Sequence, residues 1–404
     1  MNVVFFMIPY QGHIRPEAEL LRSFWKKGDR FLLFGVPEHL RPLFHGPEGP
    51  GEICFGELPE AVRRSFDRTG IAGSGRMIQR EALTGTFLRG CFARLLREAE
   101  EFAQLCGETV RNFRPDRVFA DSYAYYCDRA IQMTGLPCVE INAAMYEPAE
   151  PNRSRIWNPY VRDLFRDGPE EADPDRIAAD CRRYSAWYEG ALGPVPKEER
   201  ADFSIPEFYT EDCGPIRHLG FPMEPSGDQN PSGRQEKIYL TRGTMAGPEG
   251  VSVLKEMILG LSGCGRVTVS CGGQKEVLEE LRTAGLPACA DLRLFCDQKQ
   301  MLQRADVFLT HGGITGVREA IASLTPMIVV PSNFQDYLTG TAVGRLGAGI
   351  FLRDGRRDPR AVRDAVRAIR RAPDRYERSL RIVRSRFAEL WDQNGAYCPV
   401  PKES

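Results

Sequence analysis

The sequence lacks several features that would assign it to a particular class of protein. Positive and negative charges nearly cancel, with a formal net charge of −1 over 404 residues, so overall electrostatics favour neither nucleic acid nor a membrane surface as a partner. The apolar stretch from Val3 to Ile8 is too short for a signal peptide or a membrane span, and polar residues follow it closely. We therefore expect a cytoplasmic protein.

Patterns typical of a metal centre or a disulfide framework are also lacking. The twelve cysteines are scattered, with no C-x-x-C pair and no histidine beside them at ligand spacing. Cysteines in the cytosol are usually reduced and buried. There are no internal repeats or low-complexity segments, so the sequence predicts an ordinary globular protein without a metal site.

Length and composition predict two domains. The chain is 42% hydrophobic and 27% charged, which is enough apolar material for two separate cores. An α/β pattern begins at Val3 and another at Lys237, and residues 224–233 between them are turn formers without large apolar side chains. We expect domains at 1–222 and 236–378, joined by a linker at 223–235 and followed by a C-terminal helix within 379–404.

The most informative stretch begins at Val307. It predicts a short apolar strand, a turn with two glycines, and a helix from Thr315. Such a turn places unpaired N–H groups and the positive end of the helix dipole at one spot, where phosphate binds well. His311 can add a donor there, and Glu319 an acceptor for ribose hydroxyls. A plain structural turn is the alternative, because α/β domains often carry glycines at this place.

The longer pattern narrows this choice. His-Gly-Gly, small residues, a glutamate, a Val-Val-Pro segment and a Gln-Asp pair follow one another. This order resembles the nucleotide-sugar signature of the family-1 glycosyltransferases of the GT-B superfamily, which include bacterial antibiotic glycosyltransferases. The resemblance implies an α/β fold with two Rossmann-like domains facing a central cleft, and a last helix that crosses back to the first domain. It also implies that the donor's phosphates, ribose and sugar contact His311, Gly312, Gly313, Thr315, Gly316, Glu319, Gln335 and Asp336.

Two further segments resemble donor-binding motifs of this family. Arg242, Gly243 and Thr244 match the end of a Ser-x-Gly-Thr motif that faces the phosphates, where the arginine can pair with diphosphate or point to solvent. Cys296 and Gln298 match a Val-Pro-Gln segment whose backbone reads the nucleobase edge, although aspartate replaces the proline here.

The pair Gln335-Asp336 departs from the family pattern. Members commonly carry Asp-Gln or Glu-Gln at this place, and the pair binds the hydroxyls of the donor sugar. Because the carboxylate has moved by one position, the resemblance predicts an altered donor sugar or an altered binding pose.

A candidate general base lies in the first domain. His13 follows the first strand, at the edge where parallel sheets bind ligands, and imidazole suits proton transfer near neutral pH. Asp121 ends another apolar strand and can hold the imidazole in one tautomer. The G-H-I-x-P segment resembles the family's G-H-x-x-P start, whose histidine deprotonates the acceptor hydroxyl. The alternatives are that His13 solvates the helix start and that Asp121 caps a helix from Ser122.

The resemblance implies an inverting, metal-independent hexosyltransferase without a cofactor. The donor would be a nucleotide-diphosphate sugar, with a UDP-sugar favoured and a dTDP-sugar as the alternative, and the acceptor a hydroxyl of a small hydrophobic molecule such as a natural product. The alternatives are a lipid acceptor, an epimerase, or a catalytically silent partner protein. The arginine-rich face near 360–371 predicts a solvated surface or a contact with anionic lipid. We expect a monomer or homodimer.

Overall fold

Two parallel sheets organise the chain. The computed structural model describes residues 1–45, 49–68, 85–148, 155–165, 173–223, 237–241, 248–353 and 358–394. The first sheet has the order β3-β2-β1-β4-β5-β6-β7. Its strands are β1 (Asn2–Phe6), β2 (Arg30–Phe34), β3 (Glu52–Gly56), β4 (Arg117–Asp121), β5 (Cys138–Asn142), β6 (Lys197–Asp202) and β7 (Arg217–His218).

The second sheet repeats this arrangement with the order β10-β9-β8-β11-β12-β13. Its strands are β8 (Lys237–Thr241), β9 (Arg266–Ser270), β10 (Ala290–Arg293), β11 (Val307–Thr310), β12 (Met327–Val329) and β13 (Gly349–Phe351). All strand pairs in both sheets are parallel, as predicted for two Rossmann-like domains.

Helices connect the strands. In chain order, the described α-helices are α1 (Gln11–Phe24), α2 (Glu60–Arg68), α3 (Gly85–Phe113), α4 (Asp128–Thr134), α5 (Trp157–Phe165), α6 (Pro174–Leu192), α7 (Pro248–Gly260), α8 (Lys275–Arg282), α9 (Gln298–Arg304), α10 (Ile314–Ala322), α11 (Phe334–Arg345), α12 (Pro359–Arg371) and α13 (Pro373–Gln393). Within the part of the chain that is described, none of these helices combines the length and apolarity needed to cross a bilayer.

The central strand β1 shows why its sequence is apolar throughout. Val3 and Phe5 belong to one hydrophobic cluster, whereas Val4 and Phe6 belong to another, and all four are fully buried. Successive side chains on a strand point to opposite faces, so both faces of this sheet are covered. A parallel sheet buried on both faces needs such a continuous apolar run.

The strand order fixes where a ligand can bind. The order in which successive strands are added reverses once in each sheet, between β1 and β4 in the first and between β8 and β11 in the second. Connections leave on opposite faces at such a switch point and open a crevice at the carboxyl ends of the strands. The segments that follow these four strands therefore contain the candidate sites.

Helix α13 follows the second sheet and contacts the first domain. The Phe387 and Phe208 rings lie 5.4 Å apart between centroids, Arg386 Nε donates to Glu207 Oε1 at 2.9 Å, and Phe221 N–H donates to the Phe387 carbonyl at 3.2 Å. Most of the linker expected at 223–235 lies outside the described residues, so the domain limits remain a prediction.

Arg318 on α10 joins the domains from within. Its residue surface is 1% exposed, and its Nη2 donates to the carbonyl of Ala143 at 2.8 Å. The guanidinium lies 5.2 Å from the Phe221 ring centroid and 5.7 Å from that of Phe203. Burial lowers the pKa of Arg318 to about 10, where it still carries its charge at neutral pH.

One arginine of the arginine-rich face of α12 forms an ion pair within the fold. Arg370 was expected to be solvated with its neighbours, but its Nε donates to Asp306 Oδ2 at 2.7 Å and its Nη2 to Oδ1 at 3.1 Å. This fork fixes α12 to the residue before β11. Arg370 is therefore not available to a lipid surface.

Candidate functional site

His13 and Asp121 meet at the switch point of the first sheet. Residues Phe6 of β1 and Ala120 of β4 are paired, so the ends of these strands lie side by side. His13 Nδ1 lies 2.6 Å from Asp121 Oδ2, and the side chains are 18% and 0% exposed, respectively. An Nδ1–H donated to this carboxylate leaves Nε2 as the proton acceptor.

Asp121 does not take the alternative role of capping a helix from Ser122: a turn follows β4, and the short 3₁₀ helix Tyr125–Cys127 after it has no side-chain cap among the described residues. Asp121 Oδ1 accepts the backbone N–H of Tyr123 at 2.8 Å, while Oδ2 contacts His13. The carboxylate therefore holds the turn after β4 and the imidazole at the same time. The Tyr123 ring meets the imidazole edge-on, with centroids 5.7 Å apart, and limits its movement.

The first turn of α1 is connected directly to the second domain. Pro16 lies inside this helix and has no N–H to donate to the carbonyl four residues earlier, which is that of Gly12. Thr315 Oγ1 donates to this carbonyl at 3.1 Å. The proline thus leaves the carbonyl of Gly12, next to His13, free of its helical partner, and Thr315 of the second domain donates to it.

The glycine turn after β11 has the geometry expected of an anion site. Gly312 has a φ of +103°, and a Cβ there would come within 2.7 Å of Val329 Cγ1. At Gly313 a Cβ would come within 2.6 Å of His311 Nε2, so the imidazole lies directly over the turn. Helix α10 begins at Ile314 without a side-chain cap among the described residues, and its first N–H groups face this turn.

Gln298 and Glu319, two of the predicted donor-binding residues, are hydrogen-bonded. Gln298 Nε2 donates to Glu319 Oε2 at 2.6 Å, and Tyr239 Oη to Gln298 Oε1 at 3.5 Å. Arg15 of the first domain lies 3.8 Å from Glu319 Oε1. Burial raises the pKa of Glu319, although Gln298 and Arg15 oppose this rise. Sequence reasoning missed Arg15, which stands two residues after His13.

The segment before α9 is held without the family's proline. Asp297, which replaces it, caps α9 by accepting the N–H of Gln300 at 3.1 Å. Cys296 is buried, and burial raises the pKa of its thiol. Phe295 is 64% exposed beside this segment. The sequence places Phe295 at the end of a predicted strand and at the start of this motif-like segment, and it did not indicate that the ring is exposed.

Gln335 and Asp336 make different contacts in the structure. Asp336 is buried, and its Oδ2 accepts the N–H groups of Ser332 at 2.9 Å and Asn333 at 3.2 Å, which caps α11. Gln335 reaches the first domain, where its Nε2 donates to Glu147 Oε1 at 3.1 Å. The carboxylate of the pair is thus engaged within the fold, and a sugar contact by either residue remains a prediction.

The remaining predicted donor-binding residues are Gly316 and residues 242–244. Gly316 lies in the first turn of α10, where a Cβ would come within 3.3 Å of Gln298 Nε2. Arg242, Gly243 and Thr244 lie outside the described residues. Their segment follows β8, whose last residue pairs with Thr310 at the end of β11.

Glu17 was also missed. It is 0% exposed, one helical turn after His13, and contacts Asp121. The signal for it was present in the sequence as a carboxylate four residues after the candidate base, among the apolar positions of α1.

Comparison with known proteins adds to this geometry. Residues 256–393 match the glycosyltransferase family 28 C-terminal domain. The chain is 31% identical to NDP-glycosyltransferase YjiC of Bacillus subtilis (strain 168), over 90% of this chain and 87% of that protein. It is 24% identical to oleandomycin glycosyltransferase of Streptomyces antibioticus, over 85% and 78% of the two chains.

A solved structure has the same fold. The glycotransferase of kitacinnamycin superposes with a TM-score of 0.68 at 18% identity, covering 96% of this chain and 95% of that chain. This likeness confirms the predicted arrangement of two Rossmann-like domains facing a cleft.

Proposed function

The chain belongs to the bacterial antibiotic glycosyltransferases of the GT-B superfamily, and from that premise we propose that it transfers a sugar, with inversion, from a nucleotide-diphosphate sugar to a hydroxyl of a small hydrophobic acceptor. A natural product is the acceptor class that the named relatives suggest. A UDP-sugar is the favoured donor, and a dTDP-sugar the alternative.

One observation carries the proposal. The His13–Asp121 pair, with its 2.6 Å contact, lies at the switch point of the first sheet, and the 3.1 Å contact between Thr315 and Gly12 holds the glycine turn of the second domain next to it. A base and an anion site on opposite walls of one cleft suit a displacement in which a hydroxyl attacks as a diphosphate leaves.

The proposed reaction is a single displacement at the anomeric carbon of the donor sugar. His13 Nε2 takes the proton of the acceptor hydroxyl as its oxygen forms a bond to the anomeric carbon. The bond between that carbon and the diphosphate oxygen breaks, and the electron pair leaves with the diphosphate. The N–H groups at the start of α10 and the His311 imidazole stabilise the developing charge. Attack from the face opposite the leaving group inverts the anomeric centre.

The donor's remaining contacts follow from the same turn. We propose that Glu319, held by Gln298, accepts from the ribose hydroxyls and that the backbone at Cys296 contacts the nucleobase. With Asp336 engaged in the cap of α11, Gln335 is the member of the pair proposed to contact the sugar. No metal ion is required in this proposal, because prearranged N–H donors meet the diphosphate.

A catalytically silent partner protein is the second candidate. It is favoured by the engagement of one oxygen of the Asp336 carboxylate, Oδ2, in the cap of α11, because this oxygen is occupied within the fold. The two candidates differ in donor binding and transfer, which one set of variants separates.

The test combines calorimetry with a transfer assay. UDP, dTDP and their sugars are titrated into the wild type, His13→Ala, Glu319→Ala and the control His39→Ala, whose histidine is exposed and lies in the segment after β2. We expect Glu319→Ala to lose donor binding, and His13→Ala to keep it while transfer falls about 10²- to 10⁴-fold. Full transfer by His13→Ala would refute the base, and no binding to the wild type would favour the silent partner.

A further inference from the structure

Glu17 is a buried acid without an obvious structural purpose. It lies on α1 four residues after His13, so both side chains point from the same face of the helix. The residue is 0% exposed, and as an ionised carboxylate neither of its oxygens has a hydrogen-bond partner among the described residues. An unpaired buried carboxylate is strongly disfavoured, which calls for an explanation.

The explanation is a proton shared with Asp121. After burial, the charge of Asp121 and a side-chain hydrogen bond with it are the causes that raise the pKa of Glu17, and two carboxyl groups form a hydrogen bond only when one of them holds a proton. Asp121 already accepts from His13 and from the Tyr123 N–H, and these donors favour its ionised form. Glu17 has no comparable donors, so the proton resides on Glu17 and Asp121 is the acceptor.

The surroundings of Glu17 agree with this assignment. His13 stands on its own helix, Asp121 on β4, and Tyr126 in the segment after β4. Burial first, and then the charge of Asp121, raise the pKa of Glu17 well above its ordinary value. Among the described residues, no lysine or arginine contributes to the pKa of Glu17 in the direction that would favour ionisation.

We propose that Glu17 is a positioning residue for the base: it stays protonated, donates a hydrogen bond to Asp121, and thereby fixes the carboxylate that orients His13. The proposal rests on the proposed role of His13. It adds a third member to the His13–Asp121 pair and limits the buried negative charge behind the imidazole to a single carboxylate.

Infrared spectroscopy tests the proton directly. The difference spectrum between the wild type and Glu17→Gln at neutral pH should contain the carbonyl band of a protonated carboxyl group. Glu19→Gln, which alters a half-buried glutamate paired with Arg22 on the same helix, should lose only bands of an ionised carboxylate. A Glu17→Gln spectrum that resembles the Glu19→Gln spectrum would overturn the proposal.

Proton NMR tests the coupling to the base. The Nδ1–H signal of His13, assigned by its loss in His13→Ala, should shift as rising pH removes the infrared band of protonated Glu17, in the wild type and in Glu19→Gln. In Glu17→Gln, whose amide cannot titrate but still donates to Asp121, the signal should not shift. The same shift in Glu17→Gln would refute the coupling.

Steady-state kinetics test whether Glu17 affects catalysis. Glu17→Leu should lower kcat by roughly tenfold with a smaller effect on KM, as loss of an orienting hydrogen bond does elsewhere, and Glu17→Gln should recover most of this loss. Equal kcat in the wild type and Glu17→Leu would overturn the positioning role. The two spectroscopic tests need neither donor nor acceptor, so they judge Glu17 even if His13→Ala were to reject the proposed function.

Discussion

Replacement of Glu17 by glutamine should stabilise the protein increasingly as pH rises. In the unfolded chain a glutamate titrates near pH ~4.3, whereas burial and the charge of Asp121 raise its pKa in the folded state. Below the unfolded pKa both states hold the proton, and Glu17 costs no proton-linked stability. Above it the unfolded state ionises first, so the wild type loses about 1.4 kcal/mol of unfolding free energy per pH unit, up to the folded pKa.

Glutamine does not titrate, so the difference between Glu17→Gln and the wild type isolates this effect. Urea unfolding at pH 5, 6 and 7 should give a stability difference that grows with pH, by at most about 1.4 kcal/mol at each step. Glu19→Gln serves as the control, because the partly solvated ion pair of Glu19 with Arg22 contributes about 1 kcal/mol or less. A difference between Glu17→Gln and the wild type that stays constant over this range would refute a protonated Glu17.

Three further variants test separate contacts. Thr315→Val removes the donor to the Gly12 carbonyl and should lower kcat/KM about fivefold, equivalent to ~1 kcal/mol, while Thr315→Ser stays near wild type; equal losses would contradict the role of the hydroxyl. Arg318→Ala leaves a cavity and an unpaired Ala143 carbonyl, and should cost about 3 kcal/mol in urea unfolding, so an unchanged midpoint would argue against the contact. Phe295→Ala should weaken nucleotide binding in calorimetry by about 1–3 kcal/mol if the exposed ring stacks on the base, and unchanged binding would dismiss that stacking.

The fold was predictable because its signals are local. The apolar run of β1 and the glycine turn before α10 each specify an element within a few residues, and a parallel sheet then follows from the alternation of strands and helices. The contact between His13 and Asp121 was expected for the same reason, since both follow strands that end at one edge. The likeness to solved structures confirms this architecture.

Contacts that depend on the approach of one domain to the other were not predictable. Nothing local indicates that Arg15 faces Glu319, because the two residues lie more than 300 positions apart. The buried place of Asp336 escaped notice for another reason. The motif suggested a sugar contact, whereas the capping box with Asn333 depends on where α11 begins, and helix boundaries are hard to derive from sequence.

Arg318 bears on whether the two halves of this enzyme can be exchanged with those of relatives. Its anchor consists of a main-chain carbonyl, which every sequence offers, and two aromatic rings at positions 203 and 221. A chimera that joins this second domain to the first domain of a relative should therefore assemble where those two rings are retained. A first domain with aliphatic residues there would leave the guanidinium buried without its aromatic cover, so those two positions are the first to graft when first domains are recombined.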